Sequence, residues 1–521
     1  MPSSTRGLPS LLFLVALLEI IQMLLPRPGQ GVVQPAEDQP VWIHTLDSLS
    51  SERMLADVRT LSGPSFNGRQ TGSEDDLRSA AWVADQFRAA KINLSFVPHD
   101  PLNVGHSSEG DAAGTTGFMS KPYQAVVISP EATLHISTGR LSDTQRLVTD
   151  FLPVLDSPSA HVRAPIVFVG YGIVDATAGI NDYAGVDVRN CMVLFLKGKP
   201  DHFKGTVTHA DKIRIARQNG AVGYLTTTGP ILSSYELRRG MTGQPSAFYG
   251  LAPPADNLPG AWISTSRADR VLAGDDDSNN GRLRRLQEQL NRSSELQSFV
   301  TDSFGILEWG SRQEQNPLIN VIAQLPGTDP QFTHETIVIG AHRDHFGSQA
   351  GILFPGADDN ASGTAVMLEV ARALAKAGIH RKRTILFVSF SGEEEGLVGS
   401  RLYIERPVAA LSSTKAMINI DHAGIGNGRL TVGITGLDKG LGLEAGPMAG
   451  LTDKLDLYGY FPGGDHVPFT EAGVPTITVV SGGAHSHFHQ PTDTADTIQA
   501  EILQTVARFV LAITWQLVNT K

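Results

Sequence analysis

Toward the C-terminal end of the chain, apolar positions gather into short unbroken runs at Thr336 to Ala341, Thr384 to Ser391, Ala416 to Asp421 and Pro475 to Val480. Runs of this length without polar alternation are expected of strands covered on both faces of a largely parallel sheet. Between the first two, Met367, Val370, Ala371 and Leu374 recur at helical spacing, and a long apolar helix is predicted from Ile498 to Val518. Strand and helix in alternation from Asn316 onward predict an α/β fold, an α/β/α sandwich with a largely parallel mixed sheet. Ligands bind such sheets beyond the carboxyl ends of the strands, so chemistry is expected in the residues that follow each run.

The first half has a different texture. Helical patterns around Ser51 to Leu61 and Leu77 to Ala90 flank a loop holding Asn67-Gly68-Arg69 and Thr71-Gly72-Ser73. From about Val126 to Phe299, short β-rich runs follow at Ala164 to Gly170, Met192 to Leu196 and Val222 to Leu225, with one helix from Ala210 to Asn219. A polar loop, Asp275 to Gly281, and a charged helix, Arg282 to Leu290, close this stretch, which contains no convergent metal-ligand spacing. The expected organisation is a leader at 1–31, the N-terminal part of the main domain at 32–125, a β-rich insert at 126–300 and the rest of the main domain at 301–521.

Charge and cysteine content narrow the chemistry. A formal charge of −11 argues against nucleic acid or anionic lipid as partners, because both need a basic face. Cys191 is the only cysteine, which excludes an intrachain disulfide and any zinc site built on thiolates, so metal ligands must come from the histidines and carboxylates. Arg6, the apolar run Leu11 to Leu18 and the small residues Gly29 and Gly31 predict an export signal, either cleaved or kept as an anchor. Glu19 and Gln22 interrupt the run well short of the roughly 20 residues that span a bilayer. The expected location is periplasmic or extracellular, and membrane contact is expected only through that segment.

Each predicted strand end carries a histidine or a carboxylate. The first runs into His342-Arg343-Asp344-His345, where Asp344 is placed to hold the second ring nitrogen of His342. Then comes the small-residue loop Gly356-Ala357-Asp358-Asp359-Asn360-Ala361-Ser362-Gly363, in which Asp359 can offer two oxygens to a metal pair. Glu393-Glu394-Glu395 follows the next strand, a cluster most easily maintained beside cations. Asp421-His422 ends another, and the last leads to His485, His487 and His489, with Asp493 beyond. Singly, these read as a surface turn, a helix cap and an acidic first turn. As a series they give His, Asp, Glu, Asp and His, an oxygen and nitrogen set suited to two zinc ions.

In order and spacing, His342-x-Asp344, the Asp359 loop, Glu393-Glu394-Glu395-Gly396-Leu397-Val398-Gly399-Ser400, Asn419-Ile420-Asp421 and His489-Gln490-Pro491-Thr492-Asp493 resemble the co-catalytic zinc aminopeptidase family, which includes aminopeptidase Y and glutamate carboxypeptidase. Asp465-His466-Val467-Pro468-Phe469 also matches, as an element on the substrate-binding side. The resemblance implies a zinc-dependent exopeptidase acting on peptides. One zinc would be held by His342 and Asp421 and the other by Glu394 and His489, with Asp359 bridging and Glu393 as general base to a metal-bridging hydroxide. An aminopeptidase is expected; a carboxypeptidase of the same family shares the metal site, a non-catalytic scaffold would lack ligands, and a glutaminyl cyclase of this fold would use one zinc. Through Pro165 to Gly172, Asn190 to Gly198 and Lys212 to Leu225, the insert is similar to a protease-associated domain.

One position departs from the pattern. Many relatives have a tyrosine before the last ligand, whose hydroxyl suits the oxyanion of a tetrahedral intermediate, and this chain has Phe488. His485, His487, Tyr458 and Tyr460 are the candidate replacements.

Overall fold

A computed structural model describes residues 39–95, 117–139, 141–274, 281–378 and 380–519. The expected leader at 1–31 and residues 275–280 of the polar loop lie outside the described residues.

Nine strands form the main sheet. Their order is Asn93–Leu94, Ser311–Leu325, Thr384–Phe390, Thr336–His342, Thr414–Ile420, Thr476–Ser481, Leu430–Thr435 and Leu455–Tyr458, with Phe118–Ile128 pairing along the first part of the long Ser311–Leu325 strand. The four predicted runs are the four central strands, parallel to one another. Apart from Lys415, every residue in them is buried, which is why no polar alternation marks them. Antiparallel neighbours flank them on both sides, so the sheet is mixed.

Helices cover both faces. On one side Ser51–Leu61, Glu74–Ala89, Gly363–Lys376 and Ala500–Asn519 pack into a single apolar cluster with the sheet. On the other, Val398–Glu405 and His466–Glu471 bring Tyr403 and Phe469 against Phe390. Burying each such ring contributes roughly 1.5–3 kcal/mol. The C-terminal helix is long and apolar enough to cross a membrane, yet Val506, Val510 and Ile513 are wholly buried in this core. Buried ion pairs tie the N-terminal helices to the same domain: Arg343 donates to Asp76 at 2.7 Å and Arg372 to Asp57 at 2.6 Å.

Eight further strands make a second sheet, drawn from residues 133 to 309. The expected boundaries at 126 and 300 fall within Phe118–Ile128 of the main sheet and Phe299–Trp309 of the second. In the second sheet, Met192–Leu196 and Gly223–Thr227 are fully buried parallel neighbours. The helix His209–Gln218 between them starts at a capping box of Thr208 and Asp211. A loop of this unit, residues 239–251, reaches the main sheet's end. Gly240 lies so close to it that a Cβ would stand 2.2 Å from the His485 carbonyl oxygen. Only glycine fits there, and its positive φ is one that glycine adopts freely.

Candidate metal centre

The carboxyl ends of the central strands bring the predicted residues to one buried place. His342 is the last residue of its strand, and Asp421 follows Ile420 directly. Asp359 sits in an irregular turn with extended backbone (φ −110°, ψ 94°), so it does not cap the helix that follows. Three contacts fix this turn. Asp493 accepts from the amides of Asp358 (2.8 Å) and Asp359 (3.1 Å), and the Asn360 side chain donates to the Ile420 carbonyl at 2.9 Å. Gly363 closes the turn, where a Cβ would meet Asn360 Oδ1 at 2.3 Å.

The two oxygens of Asp359 face different donors. Its Oδ1 stands 3.3 Å from His342 Nε2, which is itself 3.4 Å from Asp421 Oδ1. Its Oδ2 stands 3.1 Å from His489 Nε2, which is 3.4 Å from Glu394 Oε2. Three of these separations are longer than a usual N–H···O hydrogen bond, and the fourth, 3.1 Å, is at the long end of that range. Two ligands each about 2.1 Å from a tetrahedral cation stand about 3.4 Å apart, the spacing seen here. His489 donates Nδ1–H to the Ala247 carbonyl at 2.9 Å, which leaves Nε2 as the lone-pair nitrogen facing Asp359 and Glu394.

Other contacts nearby are hydrogen bonds by the same measure. His345 Nδ1 meets Glu394 Oε1 at 2.7 Å, and His485 Nδ1 meets Asp358 Oδ2 at 2.6 Å. Both histidines belong to carboxylate groups compact enough to hold an ion, His345 with Asp359 and Glu394, and His485 with Asp358 and His422. Separations of 2.6–2.7 Å are too short for two ligands of one tetrahedral cation, so these contacts orient carboxylates instead. Asp358 Oδ1 also accepts from the amides of Gly424 (2.8 Å) and Ile425 (3.1 Å), which locks the segment after Asp421.

The expected hold of the Asp344 carboxylate on His342 is not what the structure has, for His342 Nδ1 lies 3.3 Å from the Asp344 backbone carbonyl instead. The carboxylate is 3.7 Å from His342 Nδ1, beyond hydrogen-bond range, while it accepts from Thr71 Oγ1 at 3.1 Å and from the amides of Glu393 and Glu394 at 3.4 and 3.3 Å. It therefore holds the glutamate turn. Asp465 is wholly buried, and His466 Nε2 donates to the Phe461 carbonyl at 2.7 Å. Both ring nitrogens of His485 are engaged, the second with the Ser481 carbonyl at 3.1 Å, and His487 Nδ1 pairs with Thr492 Oγ1 at 2.9 Å. Tyr458 and Tyr460 are exposed, and Phe488 lies stacked on His489 with ring centroids 3.6 Å apart.

The site carries more negative charge than its own side chains neutralise. Burial, together with Asp421, Asp465 and Asp359, pushes Glu393 up to about 8, while His342 opposes the shift. Burial, then Asp359 and Glu393, drives Glu394 well above the usual carboxylate range, and burial raises Asp465 to about 7. The nearby guanidiniums of Arg69 and Arg343 are occupied by backbone carbonyls and Asp76. Bound cations would allow these carboxylates to ionise together, so the donor set fits metal.

Sequence patterns gave no sign of Ala247 as a partner, since it lies 242 residues from His489. Asp358 and His422 were visible only as neighbours of the expected ligands.

Residues 320–514 match the model of peptidase family M28. A leucine aminopeptidase 1 from Metarhizium robertsii is 30% identical over 220 residues, covering 38% of this chain and 54% of its own length. The chain thus spans about half the length of that curated relative. An aminopeptidase from Aneurinibacillus sp. strain AM-1 superposes with a TM-score of 0.62 at 22% identity, covering 91% of this chain and 95% of its own. A peptidase M28 precursor from Shewanella amazonensis does so with a TM-score of 0.63 at 20% identity, covering 93% and 97%. At those identities the likeness is one of fold, and it extends over both sheets.

Proposed function

We propose that the protein is a zinc-dependent aminopeptidase that removes the N-terminal residue of peptides and uses two zinc ions. The observation that carries this is the split carboxylate of Asp359, with one oxygen toward His342 and Asp421 and the other toward His489 and Glu394. His342, Asp421 and Asp359 would hold one ion, and Glu394, His489 and Asp359 the other. Bound there, zinc polarises the scissile carbonyl and lowers the pKa of a water. Glu393 takes the proton from the attacking water on its carboxylate and returns it to the leaving amine. Asp344 fixes where that carboxylate points by holding the Glu393 and Glu394 amides. The surplus of buried carboxylates favours a substrate's ammonium terminus, which restricts attack to the first peptide bond.

The second sheet is read as a protease-associated insert whose Ala247 carbonyl sets the tautomer of His489. The apolar run Leu11 to Leu18 supports export, tested by the N-terminal residue of secreted protein. For the activity itself, a peptide with a free N-terminus should be cleaved and its N-acetylated counterpart left intact. Equal cleavage of the two would move the assignment to a carboxypeptidase or an endopeptidase.

A further inference from the structure

One segment of the second sheet's unit runs from His489 to the turn that carries Glu393 and Glu394. At its start the Ala247 amide donates to the His489 carbonyl at 3.0 Å, and the Ala247 carbonyl accepts from the ring of the same histidine, so the segment is pinned by both backbone groups. Two residues on, the Tyr249 ring packs 5.7 Å from that of Phe346, and its hydroxyl accepts from Gln70 Nε2 at 3.3 Å. Leu251 then reaches the glutamate turn, where a Cβ placed on Gly396 would stand 3.3 Å from Leu251 Cδ1.

Leu251 is held there against its own backbone preference. Its φ is 58°, a left-handed conformation that bulky residues rarely adopt and glycine adopts freely. The Asp156 carboxylate fixes it, accepting from the Gly250 amide through one oxygen and from the Leu251 amide through the other, both at 2.7 Å. Asn257 Nδ2 in turn donates to the Asp156 carbonyl at 2.8 Å. The side chain placed at this cost is not packed into a core, for Leu251 is 48% exposed. Strain of this kind persists only where the surroundings impose it, and it gathers where a protein meets its ligand. Glu393, Gly396 and Leu397 are themselves only half-buried, so the turn beside Leu251 is open to solvent.

We propose that Leu251 sets the preference for the second residue of the peptide, the one whose amine leaves, and that it favours a large apolar side chain there. This deepens the aminopeptidase assignment and rests on it for the route of the proton. A leaving nitrogen that takes a proton from Glu393 must come within about 3 Å of its carboxylate, which brings the rest of that residue to the Glu393–Leu397 turn. An aliphatic side chain that covers the leucine methyls leaves water together with them, whereas a short one leaves them wet. The second sheet's unit thereby acquires a task at the site, that of choosing among substrates.

The test compares kcat/KM of the full-length native chain for leucyl-leucinamide and leucyl-alaninamide, which differ only in the second residue, with alanyl-leucinamide as the control for the first. Leucinamide should be favoured over alaninamide about tenfold, and Leu251→Gly should reduce that ratio to about threefold or less. Glycine suits the positive φ, so the substitution removes the side chain and keeps the backbone. Both rates are read on one preparation, so any loss of folded protein cancels from the ratio. The preference at the first residue should not move. A native ratio near one, a ratio unchanged in the variant, an equal fall in the first-residue preference, or a variant that cleaves neither peptide would overturn the proposal. N-acetylated copies of the first pair separate it from the aminopeptidase assignment. If they are cleaved as fast as the free peptides while the leucine ratio falls as described, that assignment fails and the role of Leu251 stands. A native chain that cleaves none of these peptides would overturn both.

Discussion

The two sheets bury charge in opposite ways. At the end of the main sheet, Glu393, Glu394 and Asp465 are enclosed beside other carboxylates, and burial plus repulsion holds them above their usual range. In the second sheet, the ammonium of Lys212 is buried against two backbone carbonyls, and the Asp150 carboxylate is gripped by Arg146 and Arg267. Both regions are well packed, so packing does not distinguish them. At these positions, what differs is whether the chain itself places hydrogen-bond donors or acceptors around the buried charge. A protein tolerates uncompensated buried charge where something that binds later completes it, and that marks the main-sheet end as the chemical one.

Several substitutions would break or sharpen this contrast. Glu393→Gln should slow turnover by about 10²- to 10⁴-fold while zinc stays bound, because it removes the proton carrier and no ligand. Glu394→Gln should instead lower zinc content, and the reverse pattern by elemental analysis would mean that the two roles are exchanged. Phe488→Tyr should raise turnover by about tenfold, since an oxyanion donor is commonly worth about 10²- to 10³-fold and part of that is expected to be recovered. His485 has no ring nitrogen left to supply it. A tyrosine variant no faster than the native enzyme would show that another group already donates.

Lys212 and Asp150 of the second sheet should answer through stability alone. Lys212→Met leaves the Leu196 and Gly198 carbonyls without their donor and should cost about 1–2 kcal/mol in urea unfolding, with the zinc content unchanged. Asp150 gives the smallest effect. Although burial pushes its pKa up, Arg146 and Arg267 bring it down to about 2. A pKa lowered by folding stabilises the folded state above the ordinary carboxylate value, and this contribution fades as pH falls from about 4 to about 2. After allowance for solvent screening around Arg146, Asp150→Asn should cost about 1 kcal/mol at neutral pH and much less once the pH falls below about 2. A loss that is the same at both pH values would remove the ion pair as its cause.

Much of the site was legible because apolar runs end where chemistry begins. The run before His342 and the one before Asp421 are buried on both faces, so the ionisable residue that ends each marks the sheet's edge. The helix cap that Asp359 suggests when taken singly is misleading. A short acidic residue before a helix has the same local signature whether it caps or faces inward, and only Asp493 and Ile420, distant in sequence, decide its conformation. His422 and Asp358 were visible as letters but not as partners, for their pairing depends on a loop that folds back 64 residues later. The Ala247 carbonyl could not be found at all, since a backbone acceptor leaves no mark on side-chain identity.

The central claim is that the main-sheet end is completed by metal, and zinc content measured beside activity tests it most directly. Protein purified without chelator should carry about two zinc ions per chain, as expected for two tetrahedral donor sets sharing Asp359. Removing them should abolish peptide hydrolysis, and adding zinc back should restore it. A rigorously metal-free preparation that cleaves peptides at the full rate would contradict the account.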